Sequence, residues 1–223
     1  MSRPRTAWMN RLAHDLRGPL SPMQTAVFLL RDDRVEPPER TELLDIVDRQ
    51  TRRLGGMIDE IGDWVRAEQG RLISRREDIE VAMLLDEIAP RLGGAAPQVR
   101  FAPGTEASQL NGDALRLGQL LRTVLGFRFK RGEQAPAQVE VEPGGLGRVR
   151  LRRRLDCPYQ ARDQAGILLE EPLPEPLDEG LGLGLLVARA IAEAHDGQLR
   201  AHAPDGDTIE LILELPLAGK SPG

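Results

Sequence analysis

The sequence predicts an α+β protein in two parts, a helical hairpin followed by a domain of mixed helices and strands. Up to about residue 72, apolar residues recur every three or four positions, which is the period of one helix face. Later segments alternate apolar and polar residues between glycine-rich turns, as strands do. The composition changes near residue 76, so we place a hairpin at residues 1–75 and a second domain at residues 76–223.

Composition argues against several classes of function. The net charge of −5 and the aromatic content of 3% give no drive toward nucleic acid. No apolar run approaches the roughly 20 residues of a membrane span, and the start of the chain lacks a signal peptide's apolar stretch. We therefore expect a cytoplasmic protein with no membrane segment. Cys157 is the only cysteine, and His195 and His202 lack a third ligand at a suitable spacing, so we expect no disulfide and no metal site, and surface or capping roles for these histidines.

The first helix is predicted over residues 9–30, with an apolar stripe on one side and a histidine on the other. His14 lies two positions from Leu12 and from Leu16, which turns it about 200° away from each, so we expect it to be exposed. Asp15 can hold one imidazole nitrogen protonated and leave the other as a nucleophile. Pro19 is expected to bend the helix just beyond. The stripe consists of Met9, Leu12, Leu16, Leu20, Met23, Val27 and Leu30.

A second helix is predicted from Glu39 to about Leu72, after a charged loop that ends in Pro37 and Pro38. Both helices need a partner for their apolar stripes. Two hairpins that pair as a four-helix bundle bury these stripes best, so we expect a homodimer. The alternative is a hairpin packed on its own second domain. The second stripe consists of Leu43, Val47, Gln50, Leu54, Met57, Ile61 and either Trp64 or Val65.

The second domain is predicted to contain short helices and strands in alternation. Its elements are a strand and helix within residues 79–92, a strand at 98–102, a helix entered from 111–113, strands at 138–142 and 148–155, a loop at 158–179, a glycine-rich turn and helix at 180–195, and strands at 198–202 and 208–215. A basic run in this domain is interpreted as a solvated strand face rather than a binding patch. It consists of Arg148, Arg150, Arg152, Arg153 and Arg154.

The segment from His14 to Leu20, HDLRGPL, resembles the phosphoacceptor box of bacterial two-component histidine kinases. That box usually reads His, acid, Leu, Arg, Thr or Asn, Pro, Leu, and every position here except Gly18 agrees with it. The resemblance implies that His14 accepts a phosphoryl group, that Asp15 orients it and acts as general base, and that Arg17 pairs with a phosphoryl oxygen or with Asp15. Gly18 replaces a residue that helps the family dephosphorylate its partner. The alternative interpretation is an ordinary amphipathic helix with a surface histidine.

The order of elements in the second domain is similar to that of the nucleotide-binding domain of histidine kinases and their gyrase, chaperone and mismatch-repair relatives. This resemblance covers roughly residues 7–217 and implies an α/β sandwich. Its strongest local feature is the glycine box Gly180, Gly182 and Gly184, followed by an apolar helix that ends near His195. In the family, backbone amides of this box approach the nucleotide phosphates, because glycine lacks a side chain and a helix N-terminus attracts anions.

The sequence departs from the family where nucleotide and metal should bind. Phe127 stands where the family holds a magnesium-binding asparagine, and a phenyl ring cannot coordinate a hard cation. Asp156 is the best candidate for the adenine-reading aspartate, but Pro158 stiffens the turn after it. The stretch from Gly166 to Gly180 is short for the family's lid. We therefore expect no ATP or other cofactor, with magnesium supplied by the partner.

Three functional hypotheses follow from the resemblance. The leading one is a histidine phosphotransferase that relays a phosphoryl group between receiver-domain aspartates through His14. The second is an ATP-dependent sensor histidine autokinase with an abbreviated site, using Lys130 and the Gly180–Gly184 amides on the phosphates. The third is a pseudokinase scaffold without chemistry. Against ATP binding, we expect four carboxylates to lie unneutralised near a triphosphate, those of Asp113, Asp156, Asp178 and Glu179.

Overall fold

The chain folds into two compact units, described here from a computed structural model. The structure describes residues 3–92, 96–130, 135–174, 176–177 and 180–219, without the side chains of residues 3–11 and 91. The first unit comprises residues 1–62 and 178–181, and the second comprises residues 63–177 and 182–223. Among the described helices, none is long and apolar enough to cross a membrane.

Two long helices form most of the first unit, and the second helix continues beyond the end of this unit at Gly62. Helix α1 spans Arg3–Leu29 and runs through Pro19 and Pro22, and helix α2 spans Pro37–Glu68. Proline begins α2 as predicted, because its missing N–H has no intrahelical partner at a helix start. Helix α2 ends before Gly70, whose φ of +64° is the left-handed conformation that terminates helices. The bend at Pro19 stays a prediction.

Burial separates two faces on α2, which the sequence analysis had merged into one stripe, and on α1 the buried residues lie outside the predicted stripe. The buried face carries Pro19 and Ala26 on α1 and residues spaced by seven on α2, namely Leu43, Gln50 and Met57. A second apolar face on α2, the outer seam, repeats at steps of three and four. It consists of Leu44, Val47, Thr51, Leu54, Ile58, Ile61 and Val65, of which Leu44, Ile58 and Val65 are largely exposed. On α1, Leu20 and Val27 are exposed as well.

In the second unit, the described residues form two sheets and four helices in addition to the C-terminal end of α2. A five-stranded sheet has the order β2-β4-β5-β7-β6, in which only β2 and β4 are parallel, and β1 pairs antiparallel with β3. The strands are β1 Glu77–Glu80, β2 Gln98–Phe101, β3 Gln109–Gly112, β4 Gln138–Gly144, β5 Arg148–Asp156, β6 Gln198–His202 and β7 Thr208–Pro216. The helices are α3 Val81–Ile88, α4 Ala114–Gly126, α5 Ala161–Ile167 and α6 Gly184–Ala194, and a 3-10 turn Ala89–Arg91 follows α3.

Strand alternation sends one face of the large sheet to the core and the other to solvent. On β5, Val149, Leu151 and Leu155 are buried, together with apolar residues of α4 and α6. The opposite face carries arginine–glutamate pairs between neighbouring strands, such as Arg150 with Glu214 at 2.7 Å. The predicted solvated face is therefore confirmed for the even-numbered arginines of β5. The prediction is wrong for Arg153, which alternation turns inward and which is only 2% exposed.

Two elements differ from the sequence-based expectation. Strand β3 was not predicted, because it is four residues long and holds one buried apolar side chain, Leu110. Helix α5 lies inside the predicted loop at 158–179. Only Ala161 is buried within it, so no helical stripe marks it, and its start is fixed by a distant contact from the Ala161 N–H to the Gly206 carbonyl at 3.2 Å.

The division between the units falls inside α2, after Gly62, rather than at residues 75 and 76. Hydrogen bonds to α4 explain this. Asp63 accepts from Arg116 Nη1 at 2.7 Å and from Gln119 Nε2 at 2.5 Å, and Arg116 Nε also donates to the Leu72 carbonyl at 3.1 Å. Burial raises the pKa of Asp63, but hydrogen bonds from Arg66, Arg116 and Gln119 outweigh it, so the net pKa is lowered.

Candidate functional site

His14 projects from α1 into solvent beside a carboxylate, as predicted. Its side chain is 86% exposed, and Asp15 is 33% exposed. The imidazole Nδ1 lies 3.3 Å from Asp15 Oδ1. A carboxylate at this distance favours a proton on Nδ1, which leaves the Nε2 lone pair available for attack on an electrophile. The arrangement can therefore perform nucleophilic chemistry at an open surface.

The residues that follow His14 leave this surface accessible. Arg17 is exposed, and three residues along a helix bring it to the same side as His14. Gly18 is also exposed, and a methyl group built there would meet nothing within 4 Å. Packing within the described chain therefore does not require glycine at position 18. The structure brings together His14, Asp15 and Arg17 on one helix, as the sequence predicts.

The glycine loop before α6 is engaged by the protein's own backbone. Gly182 has a φ of +76°, and a methyl group built on it would lie 2.4 Å from the Leu173 carbonyl oxygen. The Leu173 N–H donates to the Gly182 carbonyl at 3.0 Å. Within the first unit, the Leu181 N–H donates to Glu60 Oε1 at 3.0 Å. The Leu181 amide is thus engaged by a carboxylate, and Gly182 packs closely against the Leu173 backbone.

The C-terminal end of α4 faces the glycine loop, since a methyl group built on Gly184 would lie 3.5 Å from Thr123 Cγ2. At this end Phe127 packs edge-on against Phe129, with ring centroids 5.1 Å apart. The buried Arg153 guanidinium donates to the carbonyls of Val124 and Phe127. A fixed positive charge on these carbonyls disfavours a second cation beside it. A phenyl ring and an arginine therefore stand where the family resemblance expects the metal ligand.

Two other predicted nucleotide-binding residues, Asp156 and Lys130, lie at the surface. Asp156 ends β5 on the solvent face, because alternation places it opposite Leu155 and the core, and it is exposed. Lys130 is exposed beyond the end of α4. In the described part of the chain, no group of three or more His, Cys, Asp or Glu side chains is arranged to hold a metal ion.

Comparison with known proteins places these features in a family. The His Kinase A (phospho-acceptor) domain matches residues 5–70. The Sensor protein ChvG of Agrobacterium fabrum is 31% identical over 214 residues, which cover 85% of this chain and 34% of ChvG. This chain is a member of the bacterial two-component histidine kinase family. It spans about a third of the length of that relative.

Solved structures of histidine kinases confirm the fold of this family member. Acinetobacter baumannii histidine kinase AdeS aligns with a TM-score of 0.70 at 16% identity, covering 92% of this chain and 98% of AdeS. Histidine kinase ThkA, solved in complex with response regulator protein TrrA, aligns with a TM-score of 0.69 at 16% identity, covering 96% of this chain and 61% of that one. The predicted helical hairpin followed by a kinase-type α/β domain is therefore confirmed.

Asp113 of this histidine kinase relative lies away from the glycine loop, which corrects the expectation that it would face a triphosphate. Asp113 caps the start of α4, whereas Thr123 and Gly126 lie near the other end of this helix. The helix has 13 residues and is about 18 Å long, so most of its length separates Asp113 from them. Burial raises its pKa, but hydrogen bonds from Ser74, Arg116 and Arg75 lower it to about 2. Asp178 and Glu179, expected in the same cluster, lie outside the described residues.

His195 is a buried residue that caps the C-terminal end of α6, so of the surface and capping roles expected from the sequence the capping role is confirmed. It is 2% exposed, and its Nδ1 donates to the Ile191 carbonyl at 2.7 Å. Its Nε2 accepts from the Asp113 N–H at 3.0 Å, which fixes the neutral form with the proton on Nδ1. A methyl group built on Gly112 would lie 2.6 Å from the ring. The spacing of His195 from Ile191 and Ala192, both core residues of α6, is the signal that could have revealed its burial.

Proposed function

We propose that this chain is a histidine phosphotransferase of a two-component system. In this function His14 takes a phosphoryl group from a receiver-domain aspartate and passes it to another. The observation that carries the proposal is a contrast between two sites. His14 is open to solvent with Nδ1 beside Asp15, whereas Phe127 stands at the position of the second unit where the family resemblance expects a metal ligand. Phosphoryl chemistry is thus available on the hairpin without a nucleotide on the second unit.

The proposed transfer exchanges one phosphorus bond for another. The Nε2 lone pair of His14 attacks the phosphorus of the aspartyl phosphate, a P–N bond forms, and the P–O bond breaks with its electrons returning to the aspartate carboxylate. Asp15 holds the Nδ1 proton and so stabilises the positive charge that develops on the ring. Arg17 lies on the same side of α1 and suits a phosphoryl oxygen. The receiver supplies magnesium and an acidic pocket.

The hairpin also supports a proposal on assembly. The outer seam of α2 repeats at coiled-coil spacing, and its exposed residues Leu44, Ile58 and Val65 form a face that a second copy can cover. We infer a homodimer through two hairpins. A receiver domain is the proposed partner of the His14 surface, and the ThkA–TrrA complex is a precedent for such pairing in a protein of this fold.

An ATP-dependent histidine autokinase is the second candidate, and the comparisons favour it over phosphotransfer. ChvG is named a sensor protein and AdeS a histidine kinase, and both are relatives or structural neighbours of this chain. In that function the Gly180–Gly184 amides and Lys130 would hold the phosphates. The positions of Phe127, Arg153 and Asp156 argue against this candidate.

Labelled phosphoryl groups separate the two candidates. The purified chain is incubated with receiver domains charged by radiolabelled acetyl phosphate and, separately, with magnesium and γ-labelled ATP. Phosphotransfer predicts acid-labile label from a receiver, no label from ATP, and loss of label in His14→Gln but not in His202→Gln. His202 is an exposed histidine of β6 and serves as the matched control. Label from ATP on His14 would instead establish the autokinase.

A further inference from the structure

A polar side chain lies on the otherwise apolar buried face of α2. Gln50 is only 9% exposed and lies between Leu43 and Met57, seven residues from each. Among the described residues, none forms a hydrogen bond with its Oε1, which the chain encloses. A buried amide oxygen without a donor loses the hydrogen bonds that water gives it in the unfolded chain. The hairpin alone therefore leaves this acceptor unsatisfied.

Gln50 borders the outer seam, the face that the proposed dimer covers. Two residues of the seam, Val47 and Leu54, lie three positions before it and four positions after it. Residues at this spacing are neighbours on the surface of a helix. A second copy that packs on Val47 and Leu54 therefore comes within reach of Gln50 and can supply the missing donor.

The donor that suits this position is the same amide of the second copy. The other residues of the outer seam and of the buried face of α2 are apolar, except Thr51. The Thr51 hydroxyl already donates to the Val47 carbonyl of its own helix at 2.7 Å. A glutamine side chain carries an acceptor and two N–H donors, so two copies that meet at a two-fold axis can satisfy each other.

We propose that Gln50 pairs with the Gln50 side chain of a second copy across the dimer, and that this pair makes the dimer selective for copies of this chain. The inference rests on the homodimer proposed above and adds its selectivity. A related hairpin with an apolar residue at the corresponding position can cover the apolar seam, but it leaves the Gln50 amide buried and unpaired. One polar pair in an apolar interface thus disfavours mixed assemblies.

Subunit mixing tests the pair. The Gln50→Met chain and the ¹⁵N-labelled wild-type chain are mixed in equal amounts and exchange subunits to equilibrium, and native mass spectrometry then counts the three kinds of dimer. Methionine keeps the length of the side chain, and a Gln50→Met homodimer leaves no amide unpaired because both are replaced. A mixed dimer leaves one amide unpaired. We expect mixed dimers at least about threefold below their random share.

Thr51→Val is the matched control, because it removes a polar group of the same seam whose hydrogen bond lies within its own helix. Mixed dimers of Thr51→Val with the wild-type chain should reach the random share. A random share for Gln50→Met as well would overturn the inference and leave the dimer intact. A monomer mass for the unmixed wild-type chain would contradict the proposed assembly and this inference with it, so the two failures are distinguishable.

Isotope-filtered NMR of the unaltered protein gives a second readout that needs no variant. The sample contains dimers of one isotope-labelled and one unlabelled copy. We expect a nuclear Overhauser contact between the side-chain amide protons of Gln50 in one copy and the methylene protons of Gln50 in the other. Contacts of this amide only within its own copy, or only with a different residue of the second copy, would overturn the pairing. Phosphoryl transfer to His14 does not enter either readout.

Discussion

His14 and Asp15 carry the proposed chemistry through their mutual geometry. The 3.3 Å separation of Nδ1 and Oδ1 fixes which imidazole nitrogen is free, and the exposure of the ring lets a folded receiver domain reach it. Neither residue contributes to the buried core. Changes at these positions should therefore affect transfer and leave the fold intact.

Asp15→Asn is expected to slow phosphoryl transfer to His14 by about 100-fold, the usual scale for a positioned acid–base group. The amide keeps the size of the side chain but loses the charge that stabilises a protonated Nδ1. Rapid-quench measurement of label transfer from a charged receiver gives the rate. Asp59→Asn, which changes an exposed carboxylate of α2, is the matched control and should transfer normally. Wild-type rates in Asp15→Asn would remove Asp15 from the mechanism.

The free energy of unfolding is expected to depend on pH through the titration of His195. Burial lowers its pKa below the ordinary value of 6.5, and Arg76 acts in the same direction; together they outweigh the opposing effects of the hydrogen bond to the Ile191 carbonyl and of Asp113 and Asp196. The folded chain thus binds fewer protons at His195 than the unfolded chain does. Its contribution to the free energy of unfolding is complete above pH 6.5 and is lost as the pH falls from 6.5 through the lower folded pKa.

His195→Gln is expected to flatten the pH dependence of stability below about pH 6.5, because glutamine does not titrate there. Urea unfolding at a series of pH values measures the free energy of unfolding. Asp113 keeps its own dependence, since a pKa near 2 means that its contribution is lost only as the pH falls from 3.8 toward 2. His202→Gln, which changes an exposed ring, should leave the slope unchanged. A slope that persists in His195→Gln would assign the titration to another group.

At the scale of elements, local patterns predict most of the fold. Apolar residues spaced by three and four predict the helices, and apolar residues spaced by two predict the strands of the large sheet. The predicted bounds are close to the observed ones, because each of these elements buries one regular face. Strand β3 and helix α5 were missed, because each buries only one apolar side chain of its own and is held by distant contacts. The same alternation rule, applied strictly to β5, would have separated Arg153 from its solvated neighbours.

The candidate site was predictable where its residues are consecutive and not where they come from distant elements. His14, Asp15 and Arg17 share one helix, so their spacing fixes their relation. The burial of His195 involves a hydrogen bond from Asp113, which lies 82 residues earlier in the chain. The close packing at Gly182 likewise involves a residue of another segment, Leu173. No local pattern reveals such contacts. The sequence analysis also treated the two apolar faces of α2 as one stripe. Periodicity shows that a helix has an apolar face but not which partner covers it.

Ile58→Asp is expected to convert a dimer into a folded monomer. Ile58 belongs to the outer seam and is 57% exposed within the chain, so a carboxylate costs little there until a second copy covers it. Light scattering at micromolar concentration measures the mass. Leu146→Asp, which changes a side chain 96% exposed in the β4–β5 turn, is the control and should remain dimeric. A monomer mass for the unaltered chain would contradict the proposed dimer.

At the scale of the whole molecule, the two units keep the family fold while their sites have diverged. The hairpin retains the phosphoacceptor box with its histidine exposed, and the second unit retains the glycine helix. At position 127, where the family resemblance expects a metal-binding asparagine, the second unit carries a phenyl ring beside the buried Arg153. The central claim is therefore that phosphoryl groups reach His14 without a nucleotide on the second unit.

Calorimetric titration of the full chain with magnesium-ATP tests this claim most directly. A ligand that binds the native state releases or absorbs saturable heat and raises stability in proportion to its occupancy. We expect no saturable heat up to low-millimolar ATP, because Phe127 offers no metal ligand and the Leu181 N–H of the glycine loop is already bonded to Glu60. A dissociation constant in the micromolar range would contradict the claim and establish the nucleotide site of an autokinase.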